Sequence, residues 1–195
     1  MKIKFIIFIL LLSLLGFTKS YSIQPDVFVQ STVNKASSVL SSEISKEKKI
    51  SELKLIAKET VDIKGIGFYT LGSARKNLND EQKKKYAELF EQYFLKSFSS
   101  RLAEYTNPEI SVEGKKVLSE KYTIVNSLLK GTNERPEIKI DWRIYTKNPD
   151  NPLIRDLIIE GLSLARTQKE EFQSILNSNE GNIEVLFNTL REFSE

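Results

Sequence analysis

Ile138-Lys139-Ile140-Asp141-Trp142-Arg143-Ile144-Tyr145 changes side at every residue. Ile138, Ile140, Trp142 and Ile144 fall on one side, and Lys139, Asp141, Arg143 and Tyr145 on the other. A period of two with one apolar side is the pattern of a half-buried antiparallel strand. The flanking segments share it. Lys121–Lys130 carries Thr123, Val125, Ser127 and Leu129 on one face, and Gly131 to Pro136 supplies turn chemistry between the two strands. Glu109–Leu118 reads as a weaker strand with Gly114 as a bend. Downstream, Asn148-Pro149-Asp150-Asn151-Pro152 is a further turn. Leu153–Leu164 is apolar on both faces, as a central strand would be, with Gly161 bending it.

Upstream of residue 106 the period becomes helical. Tyr86, Leu89, Phe90, Tyr93, Phe94, Phe98, Leu102 and Tyr105 recur every three or four residues between Asp80 and Glu104. Asn79 with Gln82 forms a capping-box pattern at the start. At about 1.5 Å per residue this helix is roughly 37 Å long. Earlier, residues 25–43 read as a first helix, and Ile50, Leu53, Ile56 and Ala57 mark a second. A short third runs from Asp62 to Tyr69, where Gly65 and Gly67 serve close backbone packing. Two more helices are expected at Arg166 to Leu176 and Asn182 to Phe193. Helices, then antiparallel strands, then helices give an α+β class. The expected form is a curved antiparallel sheet of about four strands, with helices packed over one face and an apolar cavity enclosed between them.

The N-terminus points to export. Met1-Lys2-Ile3-Lys4 is a basic head, and Phe5 to Phe17 is interrupted only by Ser13 and Gly16. Thr18-Lys19-Ser20 and Ser20-Tyr21-Ser22 both offer small residues to a signal peptidase. The run is short of the about 20 apolar residues that cross a bilayer. The expectation is a signal peptide over 1–22, cleaved near Ser20 or Ser22, and a single exported domain over 23–195. With Lys2, Lys4 and Lys19 removed, Lys+Arg falls from 29 to 26 and equals Asp+Glu, so no basic footprint for nucleic acid remains.

Chemistry is sparse. The chain has no Cys and no His, which excludes Ser-His and Cys-His triads, thiolate or imidazole metal sites and disulfides. Lys83-Lys84-Lys85 reads as a solvated helix face, Asn148 to Asn151 as a plain turn, and Gly65-x-Gly67 lacks the Lys-Ser/Thr of a phosphate loop. Asp156 and Glu160 would lie about 13 Å apart on one strand, too far for a paired acid and base. Asp156 is expected to face outward and pair with an Arg such as Arg143 or Arg155. No cofactor and no enzymatic activity are expected.

Several segments, in this order, resemble the MlaC or toluene-tolerance family of periplasmic phospholipid carriers. They are Val61-Asp62-Ile63, Tyr69-Thr70-Leu71-Gly72, Arg75, the Phe90, Tyr93 and Phe94 spacing, Val125-x-Ser127-x-Leu129 and Ile140-Asp141-Trp142-Arg143. Asp156-Leu157-Ile158-Ile159-Glu160-Gly161-Leu162-Ser163-Leu164 is the most specific, followed by Lys169, Phe172, Gly181, Leu186 and Leu190. The chain departs at Pro152, where members often carry Trp, and at Lys169, where many carry Arg. The resemblance implies a lipid cavity between sheet and helices. It implies traffic of phospholipid between an outer-membrane lipoprotein–porin complex and an inner-membrane MCE-domain ABC transporter. The residues expected to line the cavity are Phe68 and Leu71, then Phe90, Phe94 and Phe98 on the long helix. From the strands come Val125, Leu129, Ile140, Trp142, Leu157, Ile159 and Leu164. The alternatives are a cone-shaped α+β pocket enzyme, whose mark is an isolated carboxylate facing inward, and a periplasmic peptide-binding chaperone module.

Overall fold

The computed structural model describes residues 22–133 and 135–195. The basic head and apolar run read as a signal lie outside them. Among the described residues no helix is long and apolar enough to cross a membrane.

Helix starts are fixed by local chemistry. Helix α1 (Pro25–Ser41) opens on Pro, whose missing N–H costs nothing there. Ser45 caps α2 (Lys46–Thr60), and Asp62 caps α3 (Ile63–Thr70) by accepting from Gly65 N at 2.9 Å. After a short 3-10 turn at Ala74–Lys76, Asn79 and Gln82 close the expected capping box on α4 (Asp80–Leu102). Strands β1 (Ile110–Ser119), β2 (Tyr122–Leu129), β3 (Ile138–Tyr145), β4 (Leu153–Ile159) and β5 (Leu162–Ser163) follow. They pair in sequence order, each antiparallel to the next. Helices α5 (Leu164–Asn177) and α6 (Ile183–Ser194) end the chain.

The register sorts the sheet into two faces. Val125 lies opposite Trp142, and Trp142 opposite Leu157; Ser127, Ile140 and Ile159 form the next row. Val125, Ile140, Trp142 and Ile144 enter the core. The Trp142 indole N–H donates to Ser127 Oγ at 2.8 Å, and that hydroxyl donates to Ile140 O at 3.0 Å, so no polar atom of this row is stranded. Tyr122, Arg143 and Asp156 occupy the other face. Irregularities at Val112/Gly114 and Arg143/Ile144 bend the sheet. At the first, Gln30 of α1 accepts from Val112 N at 3.2 Å.

Helix α4 packs on α2, α3 and α6, while α1 lies on β1 and β2 and α5 on β4 and β5. Tyr86 and Phe90 of α4 are buried, with Phe90 edge-on to Phe172 at 6.3 Å. The Tyr86 hydroxyl sits 2.8 Å from Thr70 Oγ1 and 3.1 Å from Gly67 O. Burial pushes the Tyr86 phenol well above its usual range, so it stays a neutral hydrogen-bonding group. Gly67 stands where α3 meets α4: a Cβ there would lie 2.7 Å from Phe90 Cδ1. Phe90 is wedged between Tyr86, Phe94 and Phe172. Gly67→Ala should cost about 1–3 kcal/mol by overpacking, against about 1 kcal/mol of helix propensity gained. The melting temperature should drop by a few degrees, at about 2–4 °C per kcal/mol. A higher melting temperature would mean that Phe90 has room to move.

The segment Leu153–Leu164 departs from expectation. It is not one strand: β4 stops at Ile159, Glu160 and Gly161 turn with positive φ, and Leu164 already opens α5. The sheet therefore has five strands, the last of two residues. Leu162 and Leu164, read as buried, are 60% and 43% exposed. Asp156, expected to face outward, is 4% exposed. Its partner is not an Arg: Oδ1 accepts from Ala165 N at 3.0 Å and Oδ2 from Ser163 Oγ at 2.6 Å. The strand ends at the Glu160–Gly161 turn, and the buried Asp156 carboxylate within the strand anchors the N-terminal end of the next helix. Glu160 lies off the strand and accepts from Lys139 N.

Candidate functional site

The residues read as cavity lining separate by depth. Leu71, Phe90 and Val125 are fully buried, and Ile140 and Trp142 nearly so. Phe68, Phe94, Phe98, Leu129 and Leu157 are half-buried and pack against that core. Ile159 is half-buried, and Leu164 is exposed on α5. The fold brings most of them together. Phe90, Phe94 and Phe98 run down α4 with ring centroids 6.2 and 5.5 Å apart. Leu129 sits between Ile110 and Ile138 in one cross-strand row, all three half-buried. One end of the sheet face thus presents apolar side chains that are neither sealed nor fully solvated. Phe94 and Phe98 offer the same from α4.

A cleft of about 420 Å³ lies elsewhere. Its walls are Gly65, Ile66 and Tyr69 of α3, Leu118, Ser119 and Tyr122 of the β1–β2 hairpin, Ala165 of α5, and Arg143, Arg155 and Asp156. None of the residues singled out as cavity lining belongs to it. The alternation in β3 did put Arg143 on the face away from Trp142, which was the available signal. A second hollow, along α5, is walled by Glu170, Gln173, Ser174, Asn177 and Ser178, all polar.

The two arginines of the cleft differ. The Arg155 Nε donates to Asp62 Oδ2 at 2.6 Å, Nη1 donates to the Tyr122 hydroxyl at 3.1 Å, and the guanidinium lies 4.2 Å from the Tyr145 ring centroid. Asp62 meanwhile caps α3, so the pair ties helix to sheet. The Arg143 Nε is buried and meets no acceptor among the described residues. Leaving such a donor unmet costs about 1–3 kcal/mol. Asp156 has both oxygens engaged by the start of α5. At the rim, Lys169 Nζ stands 5.4 Å over the Tyr69 ring. Among the described residues no cluster of acids could hold a metal ion. The inward carboxylate that an enzyme of the pocket type needs is thus present, but it is spent on a helix cap.

Beyond the cleft, Tyr93 has its phenol raised by burial, and by Glu171 nearby, and donates to Gln168 Oε1 at 2.7 Å. Asp26 is held below the usual carboxylate range by its hydrogen bond from Lys115 at 2.7 Å.

A family model described as "MlaC protein" matches residues 30–192. No curated protein matches the chain. Among solved structures, a phospholipid-binding protein from Ralstonia solanacearum, in complex with a phospholipid, superimposes with a TM-score of 0.73 at 17% identity. The alignment covers 88% of this chain and 97% of that one, and at this identity it establishes the shared fold.

Proposed function

The chain belongs to the MlaC family, and on that premise we propose that it is a phospholipid carrier of the periplasm, exported by the signal at residues 1–22. It takes lipid between an outer-membrane lipoprotein–porin complex and an inner-membrane MCE-domain ABC transporter. The family match over residues 30–192 carries this reading. The fold shared with a protein solved around a phospholipid supports it.

The energetics explain why such a protein is needed. A diacyl lipid has about 30 chain carbons, each preferring an apolar site by about 0.8 kcal/mol. The sum exceeds roughly 20 kcal/mol, so lipid does not cross water unaided at a useful rate. A carrier must offer apolar surface that opens to lipid and closes to water. The half-buried residues Phe94, Phe98, Leu129 and Leu157, with Ile110 and Ile138 beside Leu129, are the proposed seat for the chains. Helix α4 has 23 residues, roughly 35 Å, more than the about 15 Å of half a bilayer core.

Protein made with its own leader and recovered from the periplasm provides the test. Intact mass should begin at Tyr21 or Ile23, and organic extraction followed by mass spectrometry should return phospholipid with no release of fatty acid. A retained Met1 with membrane association would sink the exported-carrier reading. Repeatedly empty protein, or copurified peptide in place of lipid, would favour the chaperone alternative. Liberated fatty acid would favour the enzyme.

A further inference from the structure

We propose that the cleft between α3, the β1–β2 hairpin and the start of α5 is a second binding site, for a single-chain anionic amphiphile whose headgroup oxyanion meets Arg143. This goes beyond the carrier reading, because the cleft lies on the sheet face away from Val125, Leu129 and Trp142.

Size sets the first limit. A methylene occupies about the volume of a water molecule, ~30 Å³, so about 420 Å³ holds about fourteen such groups. That is one chain with a small head, not a diacyl lipid. The walls set the second. Ile66, Leu118 and Ala165 are apolar, and Tyr69 and Tyr122 add ring surface. Tyr69 and Leu118 are also among the exposed large apolar residues, so the apolar surface continues out of the cleft.

Charge sets the third. The positive groups at the cleft are Arg143, Arg155 and, at the rim, Lys169; the negative ones are Asp156 and Asp62. Arg155 and Asp62 neutralise each other. Asp156 is directed at Ala165 N and Ser163 Oγ, where the N-terminal end of α5 also favours a negative charge. Arg143 lies beside Asp156 in the register yet makes no ion pair or hydrogen bond with it. Its buried Nε meets no acceptor among the described residues. A guanidinium with an unmet Nε in the wall of a largely apolar cleft fits a planar or tetrahedral oxyanion, carboxylate or phosphate, carried on a chain.

The experiment is calorimetric titration of delipidated protein with octyl phosphate, with octanol and with inorganic phosphate. Octyl phosphate has about 13 non-hydrogen atoms and so fits the cleft. The wild type should bind octyl phosphate roughly ten- to a hundredfold more tightly than octanol, the size of one charge-assisted contact. Arg143→Gln should remove that preference, and Arg143→Lys should restore part of it. Binding should persist in a Leu129→Glu variant, which alters only the proposed phospholipid seat. Equal affinity of the wild type for octyl phosphate and octanol overturns the proposal without any variant having to fold. Inorganic phosphate binding as tightly as octyl phosphate would assign the cleft to a free anion and overturn the amphiphile. Loss of octyl phosphate binding in Leu129→Glu would place the probe in the phospholipid seat and equally overturn a second site. Each of these leaves the carrier reading to be judged by its own extraction experiment.

Discussion

Asp156→Ala should lower stability by about 3–4 kcal/mol and the melting temperature by about 6–16 °C. The carboxylate is 4% exposed and holds two donors from the start of α5. Truncation leaves the Ala165 N–H buried without an acceptor, at about 1–3 kcal/mol. It also removes a charge–dipole contact at a helix N-terminus, worth up to about 2 kcal/mol when sheltered. Ser163 would still cap α5 through Arg166 N, so the helix should persist. Asp156→Asn keeps one acceptor for Ala165 N and should lose much less, about 1 kcal/mol. Thermal melts of the two variants beside the wild type make the check. Equal, small losses in both would mean that the carboxylate is not what anchors α5 to the sheet.

That same residue marks where the sequence stopped being legible. The period of two in β3 and the stripe of α4 were readable because each repeats over several turns or pleats, and both elements formed within two residues of expectation. Leu153–Leu164 was misread because an apolar run with no period cannot separate a buried strand from a strand, a turn and a helix start. The deciding event is a hydrogen bond across nine residues, from Ala165 N to Asp156, which local pattern does not encode. The cleft was missed for a related reason. Its walls come from α3, the β1–β2 hairpin, β3, β4 and α5, and only β3 announces through alternation which face Arg143 takes. Within the apolar set, sequence could name Phe90, Phe94, Val125 and Leu129 but not rank them by depth. Phe90 is sealed by Phe172 of α5, which lies more than eighty positions away, while Phe94 is only half-covered.

Depth now divides one mutational series into two outcomes. Phe90→Glu and Val125→Glu should leave little folded protein, because each puts a carboxylate into a site that is 1% or less exposed and lies within the apolar core. An unpaired buried carboxylate costs several kcal/mol against a total stability of about 5–15 kcal/mol. Phe94→Glu and Leu129→Glu should stay folded, since both side chains are half-buried and a carboxylate there can turn to water. Their melting temperatures should fall by only a few degrees, about 1–2 kcal/mol of lost apolar burial. The lipid content should fall far more. A carboxylate facing the acyl chains either sheds its hydration or leaves methylenes in water, and at about 0.8 kcal/mol per CH₂ exposing two or three chain carbons already weakens binding about tenfold or more. The readout is a thermal melt and an organic extraction on the same preparation of each variant. Folded Phe94→Glu and Leu129→Glu proteins that carry as much phospholipid as the wild type would move the seat away from this end of the sheet. Folded Phe90→Glu or Val125→Glu proteins would show instead that the core opens more readily than its packing implies.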